Sequence, residues 1–197
     1  MYRQEFINRI KDGAIRGWND YKVLPSLTIA QAILETGWGK SAIGNNIFGI
    51  KADSNWKGKK KLVRTHEYVN GQKIYVDAYF RDYNSIYESL EDRFKFLQKP
   101  RYSKVIGEKD YKEACTEIQK AGYATDPNYP SKLINIIEQY KLYEYDKEAL
   151  KPPKYASSEW ARESWEWAKL KKLLDGTRPQ EKLTREEFAV LLGRMVK

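Results

Sequence analysis

Residues 27–35 read LTIAQAILE, a helical stretch that is apolar on nearly every side. Such a helix is expected to lie inside the core of a domain, because every face must be covered. Its polar residues are Thr28, Gln31 and Glu35, and their spacing of i, i+3 and i+7 aligns them in one narrow stripe. We expect this stripe to face a cleft or a buried polar partner.

Glu35 is the residue of the stripe with the clearest chemical potential. A carboxylate in apolar surroundings has its charged form disfavoured, so its pKa is expected to rise. A raised pKa is what a general acid working near neutral pH requires. The alternative is structural: Glu35 caps the following segment or pairs with a lysine.

Hydrolysis of a glycosidic bond normally uses a second carboxylate across the scissile bond. Residues 61–80 alternate between apolar and polar around Asn70-Gly71, a pair that suits the tight turn of a β-hairpin. The hairpin offers Glu67 and Asp77 as the second carboxylate. The alternative for Glu67 is an ordinary solvated strand residue.

The rest of the first 150 residues is mostly helical in pattern. Helices are predicted over residues 6–21, over 26–36 ending at Gly37, from the caps Ser85 and Asp110 to residues 97 and 122, and over 131–143. The predicted fold is therefore mainly α, with one small β-hairpin lobe.

The composition excludes several other classes of chemistry. The chain has 197 residues, a net charge of +9, one cysteine (Cys115) and one histidine (His66). A disulfide framework and a Cys/His zinc site are excluded, and no metal or cofactor is expected. No apolar run approaches the ~18 residues of a membrane span, and no signal peptide is recognisable. The positive charge predicts an anionic partner, but no nucleic-acid-binding motif accompanies it.

Three blocks of sequence carry a family resemblance. Residues 29–41 (IAQAILETGWGKS), 45–51 (NNIFGIK) and 122–129 (GYATDPNY) resemble, in this order, the motifs of glycoside hydrolase family 73, the bacterial peptidoglycan glucosaminidases. The resemblance implies a lysozyme-like α+β fold with a β-lobe over a long cleft. It also implies hydrolysis of the β-1,4 bond after N-acetylglucosamine in the glycan strand.

The same resemblance implies roles for individual residues. Glu35 matches the general acid, Glu67 the second carboxylate of the lobe, and Tyr123 a tyrosine that helps to hold the sugar near the acid. Within the matching blocks, the other predicted substrate-binding residues are Gln31, Asn46, Phe48 and Tyr129.

The C-terminal part is set apart by Pro152-Pro153, which cannot continue a helix. We predict a catalytic domain at 1–148, a linker at 149–157 and a small helical module at 158–197. The module resembles part of one S-layer-homology repeat, which implies binding to anionic wall polymers or self-association. The alternative is a helical hairpin that packs on the catalytic domain.

The sequence thus predicts a peptidoglycan hydrolase that acts on the bacterial cell wall. The absence of a signal peptide fits a phage or prophage endolysin released by a holin, or an autolysin whose leader has been removed. Two alternatives stay open: a muramidase or lytic transglycosylase on the same fold, and a basic cell-wall-binding protein without activity.

Overall fold

A computed structural model describes residues 2–69 and 72–151, together with 165–168, 171 and 189–190. For residues 66–69, 72 and 73 it describes the backbone alone. Contacts divide the chain into two compact units, Met1–Leu150 and Lys151–Lys197. The predicted linker and C-terminal module fall largely outside the described residues and stay predictions.

The described residues of the first unit form six α-helices and one two-stranded sheet. In chain order these are α1 (Tyr2–Tyr21), α2 (Pro25–Thr36), β1 (Lys60–Val69), β2 (Gln72–Arg81), α3 (Ile86–Leu97), α4 (Tyr111–Lys120), α5 (Tyr129–Gln139) and α6 (Tyr143–Leu150), with a 3-10 turn at Pro100–Tyr102. The mainly helical fold with a small β-hairpin is confirmed. Helix α2 is central, since α1, α4, α5 and α6 all contact it.

Helix α2 is buried as the sequence predicts. Every side chain from Pro25 to Ile33 is buried. Pro25 stands in the first turn, where its missing N–H leaves no hydrogen bond unmade. Gly37 ends the helix in the left-handed region (φ 53°) and donates its N–H to the Ile33 carbonyl. The core therefore surrounds most of α2, and the last turn of the helix places Glu35 outside the core.

The β-hairpin pairs β1 and β2 antiparallel, with Lys60 opposite Arg81 at its base. The predicted turn at residues 70 and 71 lies outside the described residues. At the base, Phe80 is buried, and the Arg81 guanidinium donates two hydrogen bonds of 2.7 and 2.9 Å to Asp92 of α3. These contacts join the base of the lobe to the helical body.

Both predicted helix caps are confirmed. The Ser85 hydroxyl accepts from the Glu88 N–H at 3.2 Å, and the Asp110 carboxylate accepts from the Lys112 N–H at 2.7 Å. The Glu88 carboxylate accepts from the N–H of Asn84, one residue before the cap. These side chains satisfy N–H groups that have no partner within their own helices.

The prediction of a single helix over residues 131–143 is wrong. Helix α5 ends at Gln139, and a second helix, α6, begins at Tyr143 after a break at residues 140–142. Lys141 adopts a left-handed backbone (φ 51°), and the chain turns so that Leu142 is fully buried. The Leu142 N–H donates to the Ile137 carbonyl at 2.9 Å. Burial of Leu142 compensates for a left-handed residue that has a side chain.

Candidate active site

Glu35 lies in the last turn of α2, where the buried helix reaches the surface. Its side chain is exposed, whereas Thr28 and Gln31 on the same stripe are completely buried. Protein atoms around the carboxyl replace much of its water, and this desolvation raises the pKa of Glu35 above its ordinary value. Glu35 is thus accessible to a substrate, and its pKa is shifted in the direction that a general acid requires.

Tyr129, in the first turn of α5, connects Glu35 to the rest of the stripe. Its hydroxyl donates to Glu35 Oε1 at 2.9 Å and accepts from Gln31 Nε2 at 2.9 Å. The hydrogen bond to the carboxylate opposes the rise in the pKa of Glu35, while burial raises the pKa of Tyr129 itself. The structure therefore joins Gln31, Tyr129 and Glu35, three predicted site residues, in one chain of hydrogen bonds.

Arg93 of α3 is the buried polar partner of the stripe, a residue that was not predicted from the sequence. Its guanidinium is fully buried and donates to Thr28 Oγ1 at 3.2 Å and to Gln31 Oε1. It also lies 4.9 Å from the centre of the Phe48 ring. The positive charge of Arg93 opposes the rise in the pKa of Glu35, although burial outweighs it. A buried cation thus lies beneath the acid.

Tyr123 lies beside the acid, in the segment before α5. Its half-buried ring stacks on Tyr129, with 6.1 Å between ring centroids and 29° between ring planes. Burial raises the pKa of Tyr123, and the nearby Arg93 charge opposes that rise. The ring therefore belongs to the same cluster as Glu35, which is where the family resemblance places a sugar-holding tyrosine.

Asn46 and Phe48 lie below the surface of the domain. The Asn46 amide is 1 % exposed, and it donates to the carbonyls of Ile50 and Arg81 at 2.9 Å and accepts from the Ile50 N–H at 3.1 Å. Phe48 is 3 % exposed and covers Arg93. Their observed contacts hold the loop and the hairpin base together; direct substrate binding by either residue stays a prediction.

The two carboxylate candidates of the hairpin occupy different rows of the sheet. Glu67 pairs with Ile74, and Asp77 pairs with Arg64. Because residues alternate between faces along a strand, position 67 shares its row with the buried Phe80, whereas position 77 is in the opposite row. Asp77 is exposed, and the side chain of Glu67 lies outside the described part of the structure.

The described residues contain no cluster of three or more His, Cys, Asp or Glu side chains that could hold a metal ion. Among the described helices, none combines the length and hydropathy needed to cross a membrane. The side chains gathered around Glu35 offer a carboxyl group for proton transfer, with a tyrosine hydroxyl and a buried guanidinium in the same hydrogen-bond chain.

A helical body with a hairpin lobe and a carboxyl group of raised pKa at the end of a buried helix defines the class of lysozyme-like glycoside hydrolases. Comparison with known proteins agrees with this class. The chain belongs to the Glucosaminidase family, described as mannosyl-glycoprotein endo-beta-N-acetylglucosaminidase, whose profile matches residues 11–142. The family resemblance found in the sequence is therefore confirmed.

Individual relatives support the same assignment. Exo-glucosaminidase LytG of Bacillus subtilis is 40 % identical over 154 residues, which cover 74 % of this chain and 54 % of LytG. Peptidoglycan hydrolase FlgJ of Vibrio cholerae is 39 % identical over 152 residues, covering 72 % and 46 %. The chain spans about half the length of these curated relatives.

Solved structures confirm the fold. The catalytic domain of the autolysin Auto from Listeria monocytogenes superposes with a TM-score of 0.67 at 37 % identity, covering 74 % of this chain and 88 % of that domain.

Proposed function

We propose that this chain hydrolyses the β-1,4 bond that follows N-acetylglucosamine in bacterial peptidoglycan, with Glu35 as the general acid. The observation that carries the proposal is the placement of Glu35: an accessible carboxyl of raised pKa, hydrogen-bonded by Tyr129 at 2.9 Å, in a family of glucosaminidases. The peptidoglycan-hydrolysing relatives supply the substrate class.

In the proposed reaction, protonated Glu35 gives its proton to the glycosidic oxygen while the bond between that oxygen and the anomeric carbon breaks. The departing sugar leaves as a neutral alcohol, and positive charge develops on the ring that stays. Water then adds to the anomeric carbon, either directly or after attack by the substrate's own 2-acetamido group. When the acetamido group has attacked, Glu35 takes the proton that water releases and is protonated again. When water adds directly, Glu67 takes that proton, and exchange with solvent then restores both carboxyl groups.

We assign the second carboxylate to Glu67 rather than Asp77. The row of Glu67 leads to the buried Phe80, whereas Leu62 and Tyr79 in the row of Asp77 are both exposed. In this assignment Glu67 assists the water or stabilises the charged sugar. Tyr123 contributes a ring surface beside the acid for the sugar to pack against.

The test is the variant Glu35→Gln, which keeps the shape of the side chain but cannot donate an acidic proton. Lysis of purified cell walls should fall by ~10²–10⁴-fold, the usual contribution of general acid catalysis. Glu144→Gln, at an exposed position on α6, is the matched control and should keep full activity. Activity of Glu35→Gln within a few-fold of the wild-type level would remove Glu35 from the mechanism.

Product analysis separates this function from its alternatives. New reducing ends at N-acetylglucosamine, identified by mass spectrometry, support the proposal. Reducing ends at N-acetylmuramic acid would indicate a muramidase, and anhydro ends a lytic transglycosylase. Wall binding without any new ends would indicate a non-enzymatic binding protein. Wall binding or self-association by residues 158–197 is a separate proposal, tested by pelleting and light scattering of the chain truncated after Leu150.

A further inference from the structure

Arg93 is an unusual charge for the interior of this domain. The side chain is completely buried, and among the described residues no carboxylate forms an ion pair with it. Its hydrogen-bond partners are the neutral side chains of Thr28, Gln31 and Tyr123. A buried charge without a counter-ion costs several kcal/mol, so hydrophobic packing alone does not account for an arginine here.

The chemistry of arginine gives the hydrogen-bond chain a direction. A guanidinium has five N–H donors and no acceptor, and it stays protonated in proteins. Gln31 must therefore turn its carbonyl oxygen toward Arg93, which leaves its NH₂ group to donate to Tyr129. The Tyr129 oxygen is then an acceptor from Gln31, and its one hydrogen points to Glu35 Oε1.

We propose that Arg93 is a positioning residue that acts on Glu35 through Gln31 and Tyr129. Because Glu35 Oε1 always accepts the tyrosine hydrogen, the proton of the neutral acid must be on Oε2. The hydrogen-bond chain thus occupies Oε1 of Glu35 and leaves Oε2 to protonate the glycosidic oxygen. This inference rests on the proposed role of Glu35 as general acid.

The same hydrogen-bond chain limits the rise in the pKa of Glu35. Of the described titratable groups around Glu35, Tyr129 stabilises the carboxylate by its hydrogen bond, Arg93 by its charge, and Tyr123 adjoins both. Burial acts in the opposite direction and is the largest effect. Cutting the hydrogen-bond chain should therefore raise the pKa of Glu35 further. Tyr129→Phe removes the hydrogen bond to the carboxylate, and Gln31→Met removes the donor that directs the Tyr129 hydrogen toward Glu35.

The decisive variant is Gln31→Glu, which preserves the size of the side chain and its contact with Arg93. A carboxylate at position 31 has no hydrogen to donate, so it competes with Glu35 for the single hydrogen of Tyr129. We expect kcat on soluble glycan fragments to fall by about 10- to 100-fold, the range that misplacement of a catalytic group produces. In a Tyr129→Phe background the same substitution should cause no further loss, because the chain is already cut.

Thr28→Val is the matched control, one turn earlier on the same helix. It removes another acceptor of Arg93 but leaves the path to Glu35 intact. It should lower stability, because a buried donor loses a partner, and should leave the pH profile unchanged. In contrast, the basic limb of kcat/KM should move to higher pH in Tyr129→Phe and in Gln31→Met. If Gln31 has a purely structural role, Gln31→Met should lower activity without moving the basic limb of the kcat/KM profile.

A measurement without substrate separates this inference from the proposed function. The Glu35 carboxyl carbon can be titrated by ¹³C NMR in the full chain, with the signal assigned by its loss in Glu35→Gln. An upward shift of its pKa in Gln31→Met supports the chain even if the wild-type protein cuts no peptidoglycan. The inference would be overturned by an unchanged pKa of Glu35 in Gln31→Met. It would also be overturned if Gln31→Glu lowered kcat equally in the wild-type and Tyr129→Phe backgrounds.

Discussion

Asp146 provides a stability test for the buried N-terminal end of α2. This residue of α6 is 4 % exposed, and its Oδ1 accepts from the Ser26 N–H in the first turn of α2 at 2.8 Å. Its other oxygen has no hydrogen-bond partner among the described residues. Burial raises the pKa of Asp146 from 3.8 to about 6, although the bonds to Ser26 oppose the rise.

The sign of the effect follows from proton linkage. Below pH 3.8 both the folded and unfolded states hold the proton, and Asp146 costs nothing extra. Between pH 3.8 and 6 the unfolded chain releases its proton while the folded chain keeps it, so stability falls as pH rises. Above pH 6 the cost is constant, and a pKa difference of this size corresponds to about 3 kcal/mol.

Asp146→Asn removes this titration. The asparagine is neutral at every pH, and its carbonyl oxygen can still accept from the Ser26 N–H. The free energy of unfolding of the variant, minus that of the wild-type chain, should therefore increase by about 2 kcal/mol between pH 4 and pH 7. Urea denaturation of both full chains, followed by tryptophan fluorescence at several pH values, measures this difference directly.

Asp126→Asn is the control of opposite sign. Asp126 pairs with Lys132, and this hydrogen bond lowers the pKa of Asp126 below its ordinary value. Its stabilising effect is therefore lost as pH falls, and it is small because the pair is at the surface. A difference between Asp146→Asn and the wild-type chain that does not change with pH would refute the assignment of a buried, proton-holding Asp146.

Two further substitutions test packing and the lobe. Gly17→Ala should destabilise the fold by about 1–3 kcal/mol, because a Cβ there would lie 2.2 Å from the buried Phe94 ring. This overpacking outweighs the better helix propensity of alanine. A higher melting temperature of the variant would contradict the prediction. Arg81→Gln should cost about 2 kcal/mol by breaking its partly buried pair with Asp92, whereas Lys132→Gln, at an exposed pair, should have little effect on the urea midpoint.

The elements predicted correctly from the sequence are those with strong local signals. Pro25 and Gly37 mark the ends of α2, and the continuous apolar character between them requires burial. The alternating pattern of residues 61–80 specifies the hairpin, because only one register places its apolar row inward. Glu35 was found for the same reason: a polar residue on an otherwise apolar helix must have a partner or a function.

Arg93 was missed although the sequence contains a signal for it. In α3, Leu90, Arg93, Phe94 and Leu97 follow the i, i+3, i+4, i+7 spacing of a core-facing stripe, so the arginine occupies a position that is usually apolar. What the pattern cannot supply is the partner, because Gln31 lies 62 residues earlier in the chain. Hydrogen bonds across that distance depend on how the helices pack.

The break between α5 and α6 carried no recognisable signal. The left-handed position is held by Lys141, where glycine or asparagine would have marked the end of a helix. Tertiary contacts decide the conformation there: Leu142 is fully buried, and Asp146 reaches Ser26 from the following helix. A local reading of residues 131–143 therefore extends one helix where the fold needs two.

The helix dipole of α2 has opposite effects on carboxylates at its two ends. A carboxylate at the N-terminal end, where Asp146 lies, is favoured by the helix dipole, whereas one in the last turn, where Glu35 lies, is disfavoured by about 0.3–1 kcal/mol. Burial and the dipole thus both favour protonated Glu35, yet an acid that never ionised could not give up its proton. Tyr129 and Arg93 supply the opposing stabilisation of the carboxylate, and the balance between these pairs of effects sets the pH range over which Glu35 can both hold and release a proton.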